Sequence, residues 1–214
     1  MNALLLFVPL LGLNVGASVI AGDRERGSLL YLQTQPVSKT EIFIGKTLGT
    51  SLGAGAALSI GFGVAMLALT FTGATNVTAF LNLIGYTWLL LLACLGLGFL
   101  VSALTRRAAT AIGAALLIWL VVAFLGDLTL IGTVLALRPS PANLLTMLMV
   151  NPLQIFKLGA ILSLHGTLDT LGASGQYAVF HFGQALPWLL AALLLAWMLA
   201  AFGLAWLVFT RWNE

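Results

Sequence analysis

The chain has 214 residues, of which 61% are hydrophobic and 7% charged, and its net charge is +3. A soluble domain carries about 25% charged residues and could not hide so much apolar surface, whereas a bilayer accommodates it. The balance leaves no room for a soluble catalytic domain and gives no reason to expect nucleic acid as a partner.

A spanning helix needs roughly 20 predominantly apolar residues. Such stretches fall at 3–22, 47–72, 80–104, 108–126 and 186–210. They predict an all-α integral membrane protein, a polytopic bundle of about five transmembrane helices forming one domain over 1–214. The first stretch is no signal peptide, because it lacks a basic leader and a small-residue cleavage pattern.

The loop 23–46 follows. It opens with the alternating charges Asp23, Arg24, Glu25 and Arg26. Gly27 and Ser28 can restart a helix with Ser28 as its cap, Leu29, Leu30 and Leu32 supply apolar contact, and Pro36 ends the piece. Ser38 and Glu41 then form a capping box, flanked by a staple of Val37 and Ile42, and this helix continues through Gly45 and Lys46 into the second span. A short helix held between two defined helix ends suits force transmission, and it equally suits an ordinary structured loop.

Within the second span Gly45, Gly49, Gly53, Ala57, Gly61 and Ala65 recur every four positions. The stripe drifts about 40° per repeat and reads as packing surface for neighbouring helices. The five spans contain no Asp, Glu, Lys, Arg or His. Ion-coupled transporters and intramembrane enzymes need such groups at depth, so no catalytic residue is expected and any energy for transport comes from a partner. The isolated amides Asn14 and Asn82 are expected to join helices by hydrogen bonds. Cys94, the one cysteine, lies in an apolar run and offers neither an internal disulfide nor a reactive thiolate.

The stretch 127–185 is broken by Asp127, Arg138, Pro139, Pro141, Pro152, Lys157, His165 and Asp169. It reads as short helices lying on, or dipping into, one membrane surface. Met147, Met149, His165 and His181 match no compact ligand set, so no metal site is expected. Asn76-Val77-Thr78 fits a glycosylation pattern by chance. Basic residues set the orientation: Arg24, Arg26, Lys39, Lys46, Arg106, Arg107 and Arg211 fall on one side, and Arg138 and Lys157 on the other. Loop 23–46, the 105–107 turn and the C-terminus are therefore expected in the cytoplasm, and 127–185 outside. Five spans with an inside C-terminus place the N-terminus outside, a parity that a further preceding span would reverse. Arg106 and Arg107 read as topology anchors.

The run Asp23-Arg24-Glu25-Arg26-Gly27-Ser28-Leu29, then Pro36-Val37-Ser38-Lys39-Thr40-Glu41 and Gly45-Lys46, resembles the signature of ABC-2 type permeases, the membrane subunits of a class of ATP-driven transporter. The resemblance implies a coupling helix that docks on a separate ATPase subunit, with Asp23, Arg24, Glu25, Arg26, Gly27, Ser28, Pro36, Ser38 and Glu41 at that contact and Arg106 and Arg107 as a candidate second one. It implies six spans with both termini inside, so that spans one to five here correspond to family spans two to six, with a groove where the first would sit. It further implies a bacterial or archaeal inner membrane, a second copy of the permease, and ATP and magnesium on the partner with no cofactor on this chain. Asn151-Pro152-Leu153-Gln154-Ile155-Phe156-Lys157-Leu158 and Ala185-Leu186-Pro187-Trp188 look similar to the permeases of nitrous-oxide reductase maturation. That likeness implies a periplasmic accessory partner, with Asn151, Pro152, Phe156 and Lys157 as candidates for partner or substrate specificity. Two other classes fit the sequence: a non-transporting scaffold that recruits an outer partner, and an interfacial enzyme using His165, Asp169 and His181.

Overall fold

The computed structural model describes residues 2–33, 35–71, 76–126, 128, 140–165 and 172–211. The expectations attached to Asp127, Arg138, Pro139 and Asp169 lie outside them. The elements are α1 (Asn2–Glu25), α2 (Ser28–Gln33), α3 (Lys39–Thr70), α4 (Val77–Leu104), α5 (Ala108–Leu120), a π-helical turn (Val121–Leu125), α6 (Pro141–Val150), α7 (Pro152–His165), α8 (Gly172–Phe182), a 3-10 turn (Gly183–Ala185) and α9 (Leu186–Arg211). All are helical, as the apolar runs predict.

Four stretches are long and apolar enough to cross a membrane: Ala3–Glu25, Lys39–Thr70, Val77–Leu104 and Gly175–Arg211. The fourth predicted span, 108–126, is helical throughout, with its helix widening into the π turn at Val121–Leu125. The apolar helix Ala108–Phe124 covers about 25 Å at 1.5 Å per residue.

α4 is the mast of the bundle. In its most apolar window 67% of residues are buried, against 11% for α3. Glycine is what lets α1 approach it. A Cβ on Gly16 would lie 2.4 Å from the Leu95 carbonyl oxygen, and one on Gly98 would lie 2.4 Å from the Leu13 carbonyl oxygen. No side chain fits at either position, so the two backbones touch and gain dispersion contacts that lipid could not match. The small-residue stripe on α3 is not used this way. A Cβ on Gly45, Gly49, Gly53 or Gly61 would meet nothing within 4 Å, so no helix of this chain packs closely against these glycines. α3 meets α4 at Gly55 instead, where the Trp88 ring occupies the space of the missing Cβ and donates its Nε1–H to Ser59 Oγ at 3.2 Å. Farther along, α1 and α3 diverge around an apolar groove of about 460 Å³, lined by Val8, Leu11, Ala57, Gly61 and Phe62 among others.

The segment after α5 packs into the bundle. α6 and α7 meet at 111°, and α7 packs into the bundle with Ile155, Phe156, Leu158 and Ala160 buried. Gly159 makes room for the Tyr86 ring, 2.8 Å from where a Cβ would stand, and the Tyr86 hydroxyl donates to the Pro187 carbonyl at 2.8 Å. One polar expectation changes and one polar residue finds its role. Asn14 donates to Leu10 O at 2.8 Å within its own helix, so it joins no neighbour. Asn76 is the N-cap of α4, its side chain accepting from the Ala79 N–H, which explains a polar residue at that point without any modification.

Candidate functional site

The signature residues gather where α1 ends. Gly27 takes a φ of 72°, a left-handed conformation that glycine adopts without strain, and it turns the chain from α1 into α2. Leu29 is 1% exposed and enters a cluster with Ile20, Ile42, Phe43, Phe99 and Phe209. The Phe43 ring stands edge-on to Phe99 at 5.9 Å and beside Phe209 at 5.7 Å. Burying one leucine contributes about 1.5–3 kcal/mol, enough to seat a helix of six residues that could not persist alone. The opposite face of α2 presents Tyr31, 69% exposed. Beyond α2 the capping box is complete: the Glu41 N–H donates to Ser38 Oγ at 3.2 Å, and the Ser38 N–H donates to Glu41 Oε2 at 2.7 Å. Both ends of the loop are thus fixed by the chemistry that the sequence announces.

The charges of the motif point two ways. Asp23 pairs with Lys46 at the start of α3, accepts the Ser28 hydroxyl at 3.0 Å and lies 3.5 Å from Arg26. Ser28 therefore ties α2 back to α1 instead of capping it. Arg24 Nη1 donates to Thr105 O at 2.6 Å and to Ala103 O at 3.4 Å. Glu25 Oε2 accepts from the Ala108 N–H at 2.9 Å. Three adjacent side chains are spent inside the chain. What remains outward is Arg26, whose side chain is 72% exposed, with Tyr31, Pro36, Val37 and Ser38, and beside them Arg106 and Arg107 across the α4–α5 turn. The Trp206 indole N–H reaches Thr40 Oγ1 at 3.3 Å, which ties the end of α9 to the same surface. The basic residues that set the predicted orientation thereby share one end of the bundle.

Sequence reading missed the contacts of Arg24 and Glu25, which span 81 and 83 positions. One signal was present. α5 begins after Arg107, a residue that cannot accept an N–H, so its first turn lacks a local cap.

The specificity candidates fall at the other end, and the structure turns three of them inward. Pro152 and Phe156 are buried, Phe156 completely. Asn151 spends its amide within the chain, donating to Val122 O at 2.9 Å and accepting from the Leu153 N–H at 2.9 Å. In this arrangement they shape the fold and do not present a contact surface; Lys157 is half-buried.

A long α3 with a capped start, a short anchored helix before it and a charged, exposed rim form a polytopic membrane protein with an exposed, charged face at one end. The sequence profile of ABC-2 family transporter proteins matches residues 2–213. The chain belongs to this family. It is 32% identical over 196 residues to the probable ABC transporter permease protein NosY of Pseudomonas aeruginosa, which covers 88% of this chain and 69% of that one. It is 28% identical over 195 residues to the protein of the same name from Stutzerimonas stutzeri, covering 85% and 68%. For an ABC-2 permease the anchored α2 and its rim are the natural place to look for coupling. Among the described residues no group of three or more His, Cys, Asp or Glu stands close enough to hold a metal.

Proposed function

We propose that this ABC-2 permease is the membrane subunit of a transporter driven by a separate ATPase, and that α2 with its rim is where the ATPase docks. The observation that carries the reading is the two-sided build of α2: Leu29 locks one face into the bundle while Tyr31 and, just before the helix, Arg26 are exposed on the other side. A helix held this way moves with the bundle and cannot slip against it. Two copies of the chain and two ATPase subunits form the assembly, with the α2 end in the cytoplasm of a bacterial or archaeal cell and the α6–α8 segment outside. ATP closes the ATPases, the α2 helices follow, and the two bundles rock to open an outward path or pass force to an outer partner. The relatives named NosY, together with the likeness around Asn151 and Pro187, support a role in copper-site maturation of nitrous-oxide reductase with a periplasmic accessory protein. The groove between α1 and α3 is where we place the further span that the family layout implies.

The test is co-purification with an ABC ATPase subunit co-expressed from the same genome. Tyr31→Ala and Arg26→Ala should each weaken ATPase binding several-fold and lower permease-stimulated ATP hydrolysis, with membrane insertion unchanged. Binding as tight as that of the unsubstituted chain in both variants would refute the docking assignment.

A further inference from the structure

Three consecutive residues at the end of α1 hold three different helices. Asp23 takes Lys46 of α3, Arg24 takes the last carbonyls of α4, and Glu25 takes the first free N–H of α5. The signs are the ones that helix ends require. Orphan carbonyls give a helix C-terminus partial negative charge and orphan N–H groups give an N-terminus partial positive charge. Arg24 brings a cation to the C-terminus of α4, and its neighbour Glu25 brings an anion to the N-terminus of α5. Arg107, at the N-cap position, makes no capping hydrogen bond, so Glu25 fills that role from another helix. α2 hangs from the same residues through Ser28 on Asp23.

α5 is built to carry a displacement away from this corner. It runs along α1, and near its far end the Trp119 indole N–H donates to Leu6 O at 3.1 Å. Its π turn is held by Asn151, whose amide donates to Val122 O at 2.9 Å and whose side-chain oxygen receives the first free N–H of α7. A rigid element of about 25 Å therefore joins the corner beside α2 to the root of α7, with a hydrogen-bonded connection at each end.

We propose that Arg24 and Glu25 are positioning residues that make α5 move with the coupling loop, so that motion of α2 reaches α7 through the α4–α5 corner. The inference rests on the reading of α2 as the ATPase-docking helix. It assigns Glu25 an internal partner, Ala108, in place of the ATPase.

The experiment uses the full chain with its ATPase in nanodiscs, with Cys94→Ala and spin labels at Leu117 on α5 and Leu199 on α9, both exposed. Their distance is measured without nucleotide and with ATP trapped. A separate label at Ala109 reports whether the start of α5 stays helical. In the unsubstituted protein ATP should shift the Leu117–Leu199 distance. Glu25→Ala should lose most of that shift while the Ala109 line shape stays helical, and Glu25→Gln, which keeps an acceptor oxygen, should recover part of it. A full shift in Glu25→Ala would overturn the inference, as would a shift lost only together with helical order at Ala109, which would make Glu25 a cap and nothing more. An α5 that stays still in the unsubstituted complex also overturns it, with ATPase docking intact. Failure of the underlying reading is distinct: the ATPase would not bind at all.

Discussion

Two sets of glycines in this molecule look alike in sequence and behave oppositely. On α3, four glycines of the stripe point into open space; on α1 and α4, Gly16 and Gly98 permit a backbone contact that admits no side chain. The regular spacing belongs to the surface that the chain's own helices leave uncovered, and the scattered pair holds the bundle together. Regular spacing reports that one helix has a smooth face. It does not report which helix, if any, lies against it, because close approach is a property of two segments at once.

The largest effect expected from this contrast comes from Gly98→Leu. The new side chain has only backbone to displace, so overpacking should cost about 3 kcal/mol or more and remove most folded protein from detergent size-exclusion profiles. Gly53→Leu adds the same side chain and should leave folded yield unchanged. A change in assembly size at Gly53, with yield intact, would place another helix on that face and sharpen the contrast. Asn151→Ala comes next. It removes one donor and one acceptor at the α5–α7 junction and should cost about 1–3 kcal/mol, read as a lower thermal midpoint. Gly27→Ala should cost about 1–2 kcal/mol for the left-handed backbone alone and weaken ATPase binding with it. The smallest effect belongs to Gly49→Ala, where better helix propensity in open space should leave stability equal or raised by up to about 1 kcal/mol.

Much of the fold was legible because it is dictated locally. Apolar length marked α1, α3, α4 and α9, and the Ser38–Glu41 box marked the start of α3 to the residue. The run 108–126 is helical as its hydropathy predicts, but hydropathy cannot see the π turn within it. The burial of α7 was hidden because fourteen residues, Pro152–His165, are too few to register as a span, and tertiary contacts with Tyr86 and α9 are what bury it. At the candidate site, the motif located the loop but not the direction of its charges. Alternating Asp23, Arg24, Glu25 and Arg26 read as one solvated contact face. On a helix successive residues are about 100° apart, and at the end of α1 that rotation aims the first three at three different helices and leaves Arg26 outside.

The docking face is the central claim, and position-specific cross-linking tests it most directly. A photoreactive amino acid at Tyr31 should capture the ATPase subunit in membranes, and the same group at Phe71, which is more exposed and stands at the far end of α3, should not. Capture from Phe71 and none from Tyr31 would place the ATPase at the wrong end of the bundle and contradict the account.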